Sequence, residues 1–219
     1  MVLFVAGCAG GTGADEGPEE AAAPAAGGKA LGQQALEQAI VTQKDLPGRE
    51  FDALLGPPRA GSVPVNPAVC EPVDAAVGLD SPLPPQAHTK QVIGAGRGDH
   101  GGSMALASYA PDQAAEAVTL VRTALSSCKA FTPAYGFPYE EVTALPDPGL
   151  GSESVSFRLV QLVAVGDEEP RKVPVTVTMV RVGATVATFQ STNIERDGHA
   201  VVPPDVVSKQ LTKLADENR

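Results

Sequence analysis

The chain has 219 residues, a length that fits one hydrophobic core with or without a tail. Hydrophobic residues make up 43% of it and aromatic residues only 4%, so we expect an interior built mainly from Val, Leu and Ala. The formal net charge of -10 argues against a nucleic-acid partner, because phosphate backbones are bound by clustered Lys and Arg.

The first eight residues predict attachment to a membrane through a lipid. No stretch of sequence approaches the roughly 20 apolar residues that a transmembrane helix needs. Val5-Ala6-Gly7-Cys8 resembles the lipobox of bacterial lipoproteins, and the resemblance implies a diacylglyceryl thioether and palmitate on Cys8. No basic residue precedes Cys8, so we interpret residues 1–8 as a truncated signal peptide whose start is assigned too late. The alternative is a buried strand at residues 1–7, with Cys8 an ordinary thiol.

Residues 9–30 are expected to form a disordered linker. They are rich in Gly, Ala and Pro and carry four acidic residues, a composition that cannot form a core. Periodic sequence begins at Leu31, and we assign residues 31–219 to one folded domain. Leu36 and Ile40 then predict a short amphipathic helix, which ends before Leu46-Pro47-Gly48.

Three further helices are predicted downstream. One runs from about Cys70 to Gly78, after a loop rich in Pro and Gly. The clearest helix covers residues 111–130, because its apolar residues recur every three or four positions: Ala114, Val118, Val121, Leu125 and Cys128. The last helix follows Pro203-Pro204 and turns Val207, Leu211 and Leu214 inward.

Strands are predicted between these helices. Residues 87–95 and 103–110 form one pair, and alternating apolar residues predict more strands around residues 155–159 and 173–182. Gly183-Ala184 suits a tight turn into a strand at residues 185–192. No helical segment separates the later strands, so parallel crossovers are excluded. We therefore predict an α+β fold with a single antiparallel sheet, helices packed on one side and one disulfide.

The disulfide is predicted between Cys70 and Cys128. Both residues lie on predicted helices, and Cys128 is on the inward face. The bond would close a loop for which chain-entropy arguments give roughly 4 kcal/mol of stabilisation. The alternative is a pair of buried reduced thiols, which export would disfavour because oxidising compartments promote the bond.

Taken together, these features resemble the PknH-like extracellular sensor domains of actinobacteria, which occur fused to transmembrane serine/threonine kinases and as free lipoproteins. The resemblance covers residues 35–213 and rests on structural landmarks: Lys44-Asp45-Leu46-Pro47-Gly48, Cys70-Glu71-Pro72, Ser127-Cys128, the hairpin at residues 180–186 and the approach to the last helix at residues 202–207. It implies an α+β domain with a cleft for an extracellular ligand, and it assigns no binding residue. Kinase-linked members use two disulfides, whereas this domain can form one.

Several sequence patterns could suggest a cofactor or a metal site, but each has a plainer explanation, and we predict neither. Residues 96–101 formally satisfy a dinucleotide-binding spacing, yet the sequence that follows alternates like a strand, so a hairpin loop with an Arg97-Gly98-Asp99 triplet explains them better. His88, His100 and His199 lie far apart, without metal-ligand spacing. The acidic run at residues 167–170 predicts a charged hairpin tip, with a calcium site as the minor alternative.

Aromatic residues are concentrated in one short segment. Phe131, Tyr135, Phe137 and Tyr139 occur there among Pro and Gly, which predicts a loop. We favour the interpretation that they cover the edge of the sheet. The competing hypothesis is that Tyr135, Phe137 and Tyr139 bind a ligand at the mouth of an apolar cleft.

The sequence thus predicts a monomeric, lipid-anchored, sensor-like domain on the extracytoplasmic face of the cell membrane. It would bind an unknown small molecule or an envelope partner and perform no catalysis. One alternative is a cell-envelope hydrolase, which would need a nucleophile, a base and an orienting group to converge, for example around Asp99 and His100. The other is a purely structural surface lipoprotein without a cleft.

Overall fold

The computed structural model describes residues 28–54, 64–95, 100–164, 166, 168–193 and 198–218. Cys8, the triplet at residues 97–99 and Asp167 lie outside these residues, as does nearly all of the predicted linker. Helices in the described residues are α1 (Gln33–Ala39), α2 (Glu71–Val77), α3 (Pro111–Ala124) and α4 (Pro204–Glu217), with a 3₁₀ turn at Ala68–Cys70. None of these helices combines the length and apolar composition that a membrane span requires.

Strands in the same residues form two antiparallel sheets. They are β1 (Phe51–Ala53), β2 (Val65–Asn66), β3 (Ala87–Ile93), β4 (Gly102–Ser108), β5 (Thr132–Pro133), β6 (Tyr139–Ala144), β7 (Glu153–Val163), β8 (Arg171–Val182) and β9 (Thr185–Thr192). The large sheet has the order β1-β3-β4-β9-β8-β7-β6, and β2 pairs with β5 in a separate two-stranded sheet. Every pair is antiparallel. Short connections join β3 to β4, β6 to β7, β7 to β8 and β8 to β9, whereas β4 and β9 meet in the centre of the sheet although they are far apart in the chain.

The α+β class, the antiparallel sheet and the Cys70–Cys128 disulfide are confirmed. One detail of the prediction is corrected: the helices lie on both sides of the large sheet. Neighbouring residues of one strand join different cores, since Met179 packs with α2 and α3 while Val180 packs with α1 and α4. Successive side chains of a strand point to opposite faces, so each face carries a helical layer.

Two of the predicted elements differ in extent from those observed. The third helix ends at Ala124 and continues only as turns towards Cys128, whose backbone N–H donates to the Ala124 carbonyl at 2.8 Å. Tyr139, predicted in a loop, begins β6. The hairpin turn at Gly183-Ala184 forms as predicted, with Val182 opposite Thr185 and Gly183 in the left-handed region at φ 61°.

A buried glutamine fastens the start of the domain to α4. Gln210 is fully buried; its Oε1 accepts from the Val41 backbone N–H at 2.8 Å, and its Nε2 donates to the Ala39 carbonyl at 2.9 Å. From the sheet, Gln91 Nε2 donates to the Val41 carbonyl at 3.0 Å. The chain that leaves α1 therefore has its backbone polar groups satisfied by side chains, in a place where no strand can pair with it.

The two ends of the described domain meet beside the turn between β8 and β9. Asn218, just after α4, lies so close to Gly28 and Gly183 that neither glycine has room for a Cβ atom. Helix α4 has 14 residues, so its first turn lies about 20 Å from this meeting point.

Candidate functional site

A cavity of about 240 Å³ lies between the large sheet and the first turns of α4. Its floor is formed by Thr176 and Thr178 of β8 with Phe189 of β9. The remaining lining residues come from α4 and its approach and from the loop before β7: Pro148, Leu150, Val201, Val202, Pro204, Val207 and Ser208. The walls are therefore apolar, with a few hydroxyl groups.

Local hydrogen bonds explain the position of the loop wall. Asp147 accepts from the Gly149 backbone N–H at 2.9 Å and from the Ser154 hydroxyl, and Ser154 Oγ in turn accepts from the Leu150 N–H at 3.1 Å. The bond from Ser154 lowers the pKa of Asp147, so the carboxylate that organises the loop stays ionised. Pro148 and Leu150 are thereby held over the sheet.

Thr176 is the distinctive polar residue of the cavity floor. It is 5% exposed, and its Oγ1 has no hydrogen-bond partner among the described residues. The neighbouring Thr178 is different, because its hydroxyl is hydrogen-bonded to Ser156 Oγ at 3.0 Å. A buried hydroxyl without a partner costs about 1–3 kcal/mol, so a molecule in the cavity that bonded to Thr176 would remove this cost.

A cationic residue stands opposite Thr176 in the neighbouring strand. Arg158 of β7 stands directly opposite Thr176 of β8 in the antiparallel register, and its side chain is exposed. Cβ atoms of such pairs are about 5 Å apart and on the same face, so Arg158 adjoins the cavity floor. Arg158 forms no ion pair with any other described residue.

The described lining is suited to binding rather than to acid–base chemistry. It contains hydroxyl groups but no His, Cys, Asp, Glu or Lys. A hydroxyl nucleophile needs an adjacent base and an orienting group, and neither is present among these residues. What the lining offers is apolar surface together with a single unsatisfied hydrogen-bonding group.

The aromatic residues singled out in the sequence lie elsewhere. Tyr139 stacks on Phe131 with ring centroids 4.8 Å apart, and its hydroxyl accepts from Gln161 at 2.8 Å. Tyr135 is 81% exposed, and Phe137 is half-buried. None of the three candidates lines the cavity described above, and their role in ligand binding stays a prediction. Sequence patterns missed the cavity because its residues come from segments far apart in the chain.

The histidines are dispersed in the structure. His100 and His199 are exposed, whereas His88 is half-buried, with its Nε2 3.0 Å from the Leu79 carbonyl oxygen. Lys90, two residues along β3, pairs with the buried Asp80 and donates to the Gly78 carbonyl at 3.1 Å. In the part of the chain that the structure describes, no three His, Cys, Asp or Glu side chains are grouped to hold a metal ion.

Protonation of His88 should make the stability of the folded domain depend on pH. Burial, reinforced by the charge of Lys90, lowers the pKa of His88 below its usual 6.5. The folded state therefore disfavours the imidazolium, and the associated stability is present above pH 6.5 and lost as the pH falls through the lowered pKa. In urea unfolding between pH 7.5 and 4.5, His88→Gln should lose less stability than the wild type, whereas His199→Gln should follow the wild type. If the free energy of unfolding fell equally with pH in the wild type and in both variants, the assignment of this pH dependence to His88 would be wrong.

Comparisons with known proteins give similarities of structure alone. No protein-family model and no curated protein sequence matches the chain. Three chains of solved structures match. One is the extracellular domain of PknH from Mycobacterium tuberculosis, which is 12% identical, has a TM-score of 0.49 and is aligned over 87% of this chain and 98% of its own length.

Proposed function

We propose that the protein is a sensor-like domain, held by a lipid at the extracytoplasmic face of the cell membrane, that binds a small ligand and performs no catalysis. The observation that carries the proposal is the cavity of about 240 Å³ with its unsatisfied Thr176 hydroxyl. An apolar hollow with a few polar groups is the usual form of a small-molecule site.

The location is supported by the chemistry of the cysteines. Cys70 and Cys128 are disulfide-bonded, and such bonds persist in oxidising compartments outside the cytoplasm. The lipobox-like Val5-Ala6-Gly7-Cys8 supplies the proposed anchor. An exported domain tethered through Cys8 accounts for both features.

The competing functions are less well supported. A hydrolase would need a base near Thr176, Thr178 or Ser208, and the described lining contains none. A purely structural protein would gain nothing from a buried hydroxyl without a partner. An envelope protein as the ligand is a second form of the same proposal, in which one apolar side chain of the partner enters the cavity.

Native mass spectrometry of the full chain from an exporting host tests the proposal. We expect acyl mass on Cys8, a mass that lacks the two thiol hydrogens of Cys70 and Cys128, and a bound small molecule. Val207→Phe, which places a larger side chain in the cavity wall, should lose that molecule. Val69→Phe, at an exposed valine in the 3₁₀ turn, is the matched control. An unmodified Cys8, or a ligand retained by Val207→Phe, would refute the anchor or the site respectively.

A further inference from the structure

The size of the cavity limits what it can hold. Its volume of about 240 Å³ exceeds the ~150 Å³ apolar cavity that accommodates a benzene ring, and it is below the ~300–1,000 Å³ of sites for drug-sized ligands. The walls contributed by Leu150, Val202 and Val207 are aliphatic. An alkyl chain of moderate length or a single ring fits this space.

The floor of the cavity requires a polar group on the same ligand. Thr176 Oγ1 is buried without a partner in the described residues, so an entirely apolar occupant would leave it unsatisfied. A ligand with one polar end could place its apolar body against α4 and its polar end at Thr176. The ligand is therefore amphiphilic.

The charges around Thr176 select the type of polar end. Arg158 stands opposite Thr176 across the β7–β8 pair and forms no ion pair with another described residue. Glu140 and Glu141, on the neighbouring strand β6, are both paired with Lys172, at 2.6 and 3.3 Å. Asp147, in the loop beside the cavity, is hydrogen-bonded to Ser154 and to the Gly149 N–H. The first turn of α4 borders the cavity and adds the partial positive charge of a helix N-terminus, while its Asp205 is paired with Arg49 at 3.1 Å. An anion is favoured at this point.

We propose that the cavity binds a small monocarboxylate amphiphile, whose alkyl chain or single ring fills the apolar space and whose carboxylate accepts hydrogen bonds from Thr176 Oγ1 and the Arg158 guanidinium. The proposal rests on the function proposed above and names its class of ligand. Charge-assisted hydrogen bonds from a guanidinium to a carboxylate are about twice as strong as neutral ones, so the acid is preferred over an alcohol of the same chain length.

Isothermal titration calorimetry with three probes of equal chain length tests the ligand class. The probes are octanoate, octan-1-ol and octylammonium, and the protein is the full chain carrying Cys8→Ser, so that no attached acyl group competes. Octanoate should bind about tenfold more tightly than octan-1-ol, and octylammonium should bind most weakly. Equal affinities for octanoate and octan-1-ol would overturn the carboxylate assignment and leave the apolar site of the proposed function intact.

Substitutions with matched controls test where the carboxylate of octanoate binds. Arg158→Gln should weaken octanoate binding about tenfold and leave octan-1-ol unchanged, while Arg171→Gln, at the exposed start of β8, should change neither. Thr176→Val should also weaken octanoate binding, and it should fold at least as stably as the wild type because it removes an unsatisfied hydroxyl. Thr132→Val in β5 is its control. Retention of full octanoate affinity by Arg158→Gln and Thr176→Val would overturn the inference.

The outcomes separate the two proposals. If octanoate binds to Val207→Phe as well as to the wild type, the carboxylate binds elsewhere and the inference is wrong. If none of the three probes binds to the wild type, the inference is overturned, whereas the proposed function is decided separately by the molecule that native mass spectrometry finds bound.

Discussion

Replacing Cys70 and Cys128 together by alanine is expected to lower the free energy of unfolding by about 4 kcal/mol. The two residues are 58 positions apart in sequence, and closing a loop of this length restricts the unfolded chain by roughly that amount. Both are fully buried where α2 and α3 meet, in a core that contains few aromatic side chains. For a domain of this size, the melting temperature should fall by about 10 °C in calorimetry.

Reduction of the wild type provides the control for this experiment. A reducing agent should lower the melting temperature of the wild type towards that of the double alanine variant and leave the variant unchanged. The single variants should be no more stable than the double variant, because each leaves one unpaired thiol in the core. A double variant that unfolds within 1 kcal/mol of the wild type would show that packing alone, rather than the bond, holds α2 to α3.

Replacing Gln210 by leucine is the second substitution expected to have a large effect. The change leaves the Val41 N–H and the Ala39 carbonyl without the side-chain partners that lie 2.8 and 2.9 Å away. Each buried backbone group left unsatisfied costs about 1–3 kcal/mol, so the free energy of unfolding should fall by about 2–6 kcal/mol in urea titration. Leucine is similar in size, and the loss is therefore one of hydrogen bonding rather than of volume.

Hydrogen exchange distinguishes a local effect from a global one. In Gln210→Leu, the amides of α1 and Val41 should exchange faster than those of the central strands β8 and β9, because only the start of the domain is released. Gln38→Leu, at an exposed position of α1, should leave both stability and exchange unchanged. Unaltered protection at Val41 in Gln210→Leu would show that Gln91 alone is sufficient to hold this segment.

The sequence predicted the elements of the fold better than their arrangement. Period-two alternation and the Gly183 turn identified the β8–β9 hairpin, and helical periodicity identified α3, because both signals are local. Such periodicity shows that a helix has an inward face, but it does not show which side of a sheet the helix covers. A usable signal was present in β8: consecutive apolar residues at Met179 and Val180 indicate burial on both faces.

The cavity was not predictable from local patterns. The alternating apolar residues at 173–182 predict a half-buried strand, and in such a strand Thr176 and Thr178 fall on the side opposite the apolar residues, where threonine is common. In the structure Thr176 is 5% exposed, because α4 and the loop around Pro148 lie over that face. These segments precede and follow β8 by tens of residues, so only the tertiary structure brings them together. The aromatic cluster at residues 131–139 was singled out by its composition alone. A concentration of aromatic residues is as typical of packing as of ligand binding.

The meeting of Gly28 and Asn218 at the β8–β9 turn determines how the domain is presented. Gly28 and Asn218, the two ends of the described domain, lie at one pole, and the cavity lies about 20 Å away, at the other end of α4. Under the tether proposed at Cys8, the chain would join the domain at the end of α4 away from the cavity, so attachment to the membrane would not require the cavity to be covered. A fluorescent protein joined after α4 would occupy the membrane-proximal side and leave the ligand entrance clear.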